Sequence, residues 1–505
     1  MNGNPPHSRT AFGVWIMPAS AVVVAIPLLI GLLDASRWPL VHDAPLIHYI
    51  VFLMNKGLVP YRDIIDMNMP GAYILESFGM QALGGGAGGW FAWDAISGAI
   101  AVVASAWIAG PSHRAAGIVA GSLAYLIHLS DGALNLGQRD WIVSVLLLLS
   151  FACLFRILRG GHAAWSAGVF FFSSVAVSVK PPALLFCLIA AGTICWLCCK
   201  SPSRILPMLS LGFVGVLVPT TAVVLFLAKW HATDSFLDTL TKLVPYYASL
   251  QRTGLRVLLW SVLGPIQRLF IPVAVMALAL FILSRSWRSM ESVLLLLGAL
   301  CGGMYYILQD KGWSYHRYPA IVFASLWIVM EVERGIRARG LRAWISWTML
   351  GALVLLLPFA AVSRERLKPY DTAKMTQLES DLNELGGAQL SHRVQCLDMT
   401  HGDCINVLYR LNLVQSTGFI YDFYLFPEKS APVTIALQKR FLQAVSADPP
   451  KALILSEQVW PGGGLGYNQV ARWPSFSDYL SHHYRLAKEY SAGSSIEGYR
   501  IYLLK

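Results

Sequence analysis

Long apolar runs separated by short polar interruptions dominate the first 363 residues of the chain. They fall at 12–33, 91–110, 115–130, 141–158, 164–179, 181–199, 205–228, 262–283, 290–308, 319–333 and 344–363. A hydrocarbon core of about 30 Å takes about 20 helical residues to cross. Within it, only a helix or a closed barrel satisfies its own backbone. The pattern therefore predicts an all-α polytopic membrane protein with about eleven transmembrane helices. Two further apolar stretches, 44–56 and 71–83, are too short, since about 13 residues of helix reach only about 20 Å. Both are expected to be juxtamembrane helices lying on the membrane surface, at and just beyond a long first outer loop, 34–70. The second ends in Gly84, Gly85, Gly86, Gly88 and Gly89. No strand and no Lys-Ser/Thr pair frames these glycines as a phosphate loop, so they read as a flexible link.

After residue 363 the long runs stop. Helical spacing at 372–385, 434–445 and 476–483, with strand-like runs at 451–456 and 499–504, predicts a small mixed α/β domain. The expected organisation is a transmembrane domain over 1–363 and a C-terminal domain over 364–505. In the tail, Gly462–Gly464 reads as a turn. The adjacent His482 and His483 point in different directions and suggest no metal site.

Composition narrows the class. Of 505 residues, 56% are hydrophobic and 13% charged, where soluble chains carry about 25% charge. A disordered chain, a disulfide mini-scaffold and a string of soluble domains are excluded. The net charge of +11 is uneven: residues 1–363 hold 24 Lys and Arg against 14 Asp and Glu, the tail 15 against 14. The basic excess lies where anionic lipid attracts it, and no basic run interleaved with aromatics suggests a nucleic-acid partner. The first run carries Trp15 and Pro18 and has no small-residue cleavage site before Asp34, so it reads as an uncleaved span.

If neither short helix crosses, the loops alternate. One set is compact and Arg-rich, from Arg9 and Arg114 through Arg156, Arg159, Lys200, Arg204, Arg285 and Arg288 to Arg334, Arg337, Arg339 and Arg342. The other set is longer, holds as many basic residues, and gathers Asp34, Asp43, Asp63, Asp66, Asp131, Asp140, Asp234, Asp238 and Asp310. Compact basic loops fit the cytoplasm, and an odd number of spans then puts the tail outside. Six of the eight cysteines lie in apolar segments and read as small buried hydrophobes, the Cys195/Cys198 pair included. Cys396 and Cys404 are the only pair in the polar tail, and an outside location makes them a disulfide candidate.

Candidate chemistry concentrates on the outer side. Asp43, in Val41-His42-Asp43-Ala44-Pro45, reads either as a helix N-cap or as a catalytic carboxylate at the water–lipid boundary. Asp140, in Gln138-Arg139-Asp140-Trp141, reads either as an N-cap beside the interfacial Arg139 or as a partner of Asp43 in one outer cavity. Paired carboxylates there suit proton transfer or a divalent metal. Lys180, in Val179-Lys180-Pro181-Pro182, is a snorkelling lysine or a fixed cation for a lipid-linked phosphate. Lys311, His316 and Arg317 sit in a polar, aromatic loop between two spans, which reads as an interfacial belt or as further anion-binding groups. Lys242, Arg252 and Arg256 read as part of an ordinary solvated loop.

These residues, in this order, resemble the GT-C glycosyltransferases that use polyprenyl-phosphate sugar donors, of the aminoarabinose–lipid A transferase and protein O-mannosyltransferase kind. The likeness covers most of residues 10–360 and, more loosely, 451–505. It rests on Asp43 followed by Gly57, Pro60-Tyr61, Asp63 and Pro70, on Asp140 opening a span, and on the Lys180-Pro181 turn. The resemblance implies an inner-membrane transferase with Asp43 as catalytic base, Asp140 supporting the same site and Lys180 meeting the donor phosphate. Lys311, His316 and Arg317 would add to the phosphate site. The implied partners are a polyprenyl-phosphate-linked sugar and an acceptor on lipid A, polysaccharide or protein in the cell envelope. The chain departs from the family at Asn68-Met69-Pro70, where members often carry Lys or Glu-Lys before the proline; this weakens any metal ligand there. Two rival readings are an envelope polysaccharide polymerase or ligase, and a non-catalytic lipid or sugar transporter. The first would lean on one long late outer loop. The second would show mid-membrane charges and internal symmetry.

Overall fold

The computed structural model of the chain describes residues 11–263, 267–366, 370–398, 403–457, 460, 466–491 and 498–505. The expected turn at 462–464 and Arg9 fall outside them. The chain divides into two compact units. One comprises Met1–Arg37, Phe91–Thr221 and Thr253–Pro369, the other Trp38–Trp90, Ala222–Arg252 and Tyr370–Lys505.

Each of the eleven apolar stretches is helical over most of its described residues. Among the described residues, seven helices are long and apolar enough to cross a membrane, including Trp15–Ala35, Ala87–Ala109, Arg139–Leu158, Pro181–Lys200 and Met290–Gln309. Four further stretches are the helices Arg114–Leu129, Trp165–Val179, Gln267–Leu283 and Tyr318–Ile336. The chain is a polytopic, all-α membrane protein with a small sheet near its C-terminus.

At the centre of the first unit runs Tyr318–Ile336, buried along almost its whole length. It packs on Met290–Gln309, Arg114–Leu129, Arg139–Leu158, Gln267–Leu283 and Leu341–Gly351. Small residues permit this. A Cβ at Gly302 would run into the backbone of Ala320, and one at Gly117 into the backbone of Ser105 and Ala106. In lipid no hydrophobic drive pulls helices together, so close packing of this kind holds them. Polar groups collect at the two ends. At one end the fully buried Glu331 accepts from Ser286 Oγ at 2.6 Å and also meets Ser292 and Arg334. Arg159 pairs with Glu291 at 2.8 Å, and Glu333 with His113 at 2.9 Å and Arg337 at 2.7 Å. The opposite end carries the candidate site.

The second unit holds the two short helices expected after the first span, Asp43–Asn55 and Pro70–Leu83. The proline of the second stands in its first turn, where a missing N–H costs nothing. The tail contributes a four-stranded sheet of β1 (Val394–Leu397), β2 (Ala452–Ser456), β3 (Tyr484–Tyr490) and β4 (Tyr499–Leu504), in the order β1-β2-β4-β3. β1 runs parallel to β2, with Val394 opposite Ala452. β4 is antiparallel to both its neighbours, Ile454 facing Ile501, and a bulge lies between Leu486 and Lys488. The helices Ala373–Glu384, Cys404–Arg410, Pro432–Ala447 and Pro474–His483 surround the sheet in sequence. Cys396 and Cys404 form a disulfide with a Cα separation of 6.1 Å.

The first loop is knitted to the tail within this unit. Helix Cys404–Arg410 packs on helix Asp43–Asn55. Asn406 Nδ2 donates to the Leu40 carbonyl at 2.6 Å, and Tyr49 donates to the Leu413 carbonyl at 3.0 Å. Ile65 N–H donates to the Gly418 carbonyl at 2.8 Å. Several hydrogen bonds thus tie 38–70 to residues more than 300 positions later.

Candidate active site

Asp140 is the second residue of helix Arg139–Leu158 and has no solvent exposure. The N-cap position belongs to Gln138, whose side chain makes no capping bond, so the capping reading of Asp140 gives way to a different role. Its carboxylate reaches neighbouring helices. Tyr305 donates its hydroxyl to Oδ1 at 2.6 Å, and Gln309 Nε2 lies 3.5 Å from the same oxygen. Lys180 Nζ stands 3.3 Å from Oδ2. His316 and Arg139 lie within electrostatic reach.

Lys180 is delivered by a local rule. The residue before a proline is pushed out of the helical region, and Lys180, before Pro181, has φ −143° and ψ 105°. Helix Trp165–Val179 therefore ends there, and the lysine side chain leaves the chain at the turn, about one-fifth exposed at 19%. The loop 309–318 supplies the rest. Ser314–Arg317 is a short 3-10 turn in which His316 and Arg317 are buried, as is Lys311 before it. Arg317 pairs with Asp131 at 3.5 Å and reaches the Ser261 carbonyl at 3.4 Å. Ser314 bonds Asn135 at 3.0 Å.

Beside this lies a network that sequence reading missed. Asp94, wholly buried in helix Ala87–Ala109, accepts three hydrogen bonds: from Gly137 N at 2.7 Å, His128 Nε2 at 2.8 Å and the Tyr125 hydroxyl at 2.9 Å. One turn later Ser97 Oγ accepts from Trp141 Nε1 at 2.8 Å. The Trp141 ring stacks on His128 at 4.5 Å and on Tyr125 at 5.4 Å. The usable signal was an acid inside an apolar run, since such residues are costly in lipid and are retained for a function.

Asp43 belongs to the second unit. It is the first residue of helix Asp43–Asn55, 9% exposed, and the N-cap is His42. His42 has φ 63° and ψ −122°, a conformation costly for a residue with a Cβ. It fixes the direction in which Asp43 enters the helix, and His42 Nδ1 lies 3.8 Å from Asp43 Oδ1. Farther along, His48 Nε2 meets Glu76 Oε1 at 3.1 Å, and its ring stacks on Tyr409. Burial pushes the His48 imidazole down to about 4. Asp66 accepts from Asn68 N at 2.9 Å and from the Tyr73 hydroxyl. Asp63 is held below the usual carboxylate range by the adjacent Arg62 guanidinium. In the tail, burial raises the Asp403 carboxyl.

The second unit also contains a cavity of about 930 Å³ with a mostly apolar wall. Arg62, Lys242 and Arg440 are among its lining residues, with Tyr61 and Tyr246. The Tyr246 hydroxyl is buried and has no hydrogen-bond partner among the described residues; burial, then the nearby Glu428, pushes it up to about 12.

Among the described residues no group of three or more His, Cys, Asp or Glu could hold a metal ion. Of the residues singled out from sequence, the structure brings Asp140, Lys180 and His316 together in the first unit, with Lys311 and Arg317 in the same loop as His316.

A bundle of membrane-crossing helices, short helices after the first span and a C-terminal α/β segment define a GT-C fold. Solved structures bear this out. ArnT from Cupriavidus metallidurans bound to undecaprenyl phosphate superposes with a TM-score of 0.56 at 12% identity, over 96% of this chain and 98% of that one. The apo oligosaccharyltransferase of Archaeoglobus fulgidus gives 0.58 at 9%, over 97% and 74%. The AglB oligosaccharyltransferase from the same organism, in complex with an inhibitory peptide and a dolichol-phosphate, gives 0.53 at 9%, over 98% and 74%. At these identities the likeness is one of fold. No protein-family profile matches the sequence, and comparison with curated proteins finds no match.

Proposed function

We propose that the protein is an integral-membrane glycosyltransferase of the cell inner membrane. It moves a sugar from a polyprenyl-phosphate donor to an acceptor on the extracytoplasmic side. The observation that carries this reading is the Lys180 ammonium 3.3 Å from the buried Asp140 carboxylate, at the polar end of a GT-C bundle. The leaving group of such a reaction is a lipid phosphate, and a fixed cation in a partly dry site stabilises the charge it develops. Two fold neighbours carry lipid phosphates, undecaprenyl phosphate in ArnT and dolichol-phosphate in AglB.

Asp43 acts as the base. An acceptor hydroxyl oxygen attacks the anomeric carbon while the bond from that carbon to the phosphate oxygen breaks. The hydroxyl proton passes to Asp43, and the carrier departs as a polyprenyl phosphate anion met by Lys180. Asp140 holds that lysine, and Lys311, His316 and Arg317 add cationic or donor groups for the phosphate. A single displacement inverts the anomeric centre. The acceptor is drawn to the cavity of the second unit, whose mostly apolar wall, Arg440 and the Asp238–Lys242 ion pair at 2.7 Å suit an amphiphile.

The test is sugar transfer by purified full-length protein from a polyprenyl-phosphate sugar, with mass analysis of envelope glycans in a deletion strain to identify the sugar and acceptor. Loss of transfer in Asp43→Asn with an inverted wild-type product supports the reading. Transfer at the wild-type rate in Asp43→Asn, or retention of configuration, overturns the assigned mechanism.

A further inference from the structure

We infer that Asp94 is a positioning residue for Asp140, and through it for Lys180. This rests on the functional reading only for its consequence, since the geometry stands alone. Asp140 is bracketed in sequence by Gly137 and Trp141, and both are tied to helix Ala87–Ala109. Asp94 takes the Gly137 N–H at 2.7 Å, and Ser97 takes the Trp141 indole N–H at 2.8 Å.

Gly137 has φ 61°, a left-handed turn that glycine adopts without strain. The turn leads directly into helix Arg139–Leu158, whose N-cap Gln138 makes no side-chain capping bond. A helix start normally takes its alignment from such a cap. Here the alignment comes from a carboxylate on another helix. The indole of Trp141, fully buried against His128 and Tyr125, blocks rotation about the helix axis. His128 and Tyr125 in turn donate to Asp94. One acidic side chain thus bears on both flanks of Asp140, directly at Gly137 and through His128 and Tyr125 at Trp141. The Asp140 oxygens are left for Tyr305 and Lys180.

The consequence is specific. If Asp94 only stabilised the bundle, its removal would add to any defect at Asp140. If it aims Asp140 at Lys180, then Asp94→Asn should loosen the ion pair and have nothing further to do once Asp140 is neutralised. Residues that act through one another give non-additive effects.

The experiment follows acylation of the Lys180 amine by mass spectrometry, in full-length detergent-solubilised protein, with the exposed Lys439 as internal reference. An ammonium facing a carboxylate keeps its proton and reacts slowly. Asp140→Asn should raise the Lys180 rate by about tenfold, the effect of one pKa unit. Asp94→Asn should raise it by a similar factor, and Asp94→Asn with Asp140→Asn should equal Asp140→Asn alone. An unchanged Lys180 rate in Asp94→Asn, or additive effects in the double variant, overturns the proposal. Where Asp94→Asn does not fold, Ser97→Ala, which frees the Trp141 indole and the Asp94 carbonyl to which Ser97 donates at 2.7 Å, must raise the Lys180 rate, and no change there overturns it too. The readout needs no donor sugar, so absence of transfer by the wild type would count against the functional reading and leave this one to be judged separately.

Discussion

Lys180 and Asp140, forty residues apart in sequence, meet at 3.3 Å where helix Trp165–Val179 gives way to a proline turn and helix Arg139–Leu158 begins. The carboxylate is fully buried and the lysine retains some access to solvent. Removing one member of such a pair strands the other, at a cost of about 3–5 kcal/mol, whereas neutralising both costs less. Lys180→Met is therefore expected to lower the unfolding midpoint in detergent more than Lys180→Met with Asp140→Asn. The double variant should regain stability and still fail to bind undecaprenyl phosphate. Equal stability in the two would show the pair to be loosely coupled.

Asp43 follows a strained His42 as the first residue of its helix. Asp43→Asn preserves shape and removes the proposed base. Positioned proton acceptors contribute about 10²–10⁴-fold, so single-turnover transfer should fall by that factor while binding of the lipid-phosphate donor stays unchanged. A change in binding with transfer intact would give Asp43 a different role.

The Cys396–Cys404 disulfide closes a short loop next to helix Cys404–Arg410, which braces helix Asp43–Asn55. A loop of this size restricts the unfolded chain by about 2–3 kcal/mol. Reductant, or Cys396→Ser with Cys404→Ser, should lower the unfolding midpoint by that measure, and the variant should no longer respond to reductant.

His48 is buried beside Glu76, and its Nδ1 has no hydrogen-bond partner among the described residues, so a charged ring would leave an N–H unmet there. Its pKa falls from 6.5 in the unfolded chain to about 4 in the fold. Between those values the unfolded chain binds the extra proton, so stability is complete above about pH 6.5 and drains away as pH falls toward 4. The loss reaches roughly 3 kcal/mol. Unfolding midpoints from pH 7 to 4.5 should decline in the wild type and flatten in His48→Gln over the same interval.

Apolar period and run length placed the helices of the bundle and the two short helices with errors of a few residues, because lipid permits few alternatives to a helix. The tail was half legible. β2 and β4 are compact apolar runs, but β3 is the mostly polar Tyr-Arg-Leu-Ala-Lys-Glu-Tyr, and β1 is four residues long. Both are defined by the partner strand. At the site, Lys180 and Asp140 were visible because a proline turn and a helix start mark them. The Asp94 network was not, since Gly137 and His128 become its partners only through helix packing. The capping readings of Asp43 and Asp140 erred by one or two positions, which sequence alone does not resolve.

Helix Tyr318–Ile336 has one more consequence, for how the protein is made. It sits inside a ring of neighbours yet carries Glu331, Glu333 and Arg334 in its last turns. It is not among the seven helices that, among the described residues, are long and apolar enough to cross a membrane. A newly synthesised segment of that kind leaves the insertion machinery only when partners shield it. Biogenesis should then be cooperative: earlier helices wait at the translocon, and the central rod is released into the bilayer together with them rather than one segment at a time.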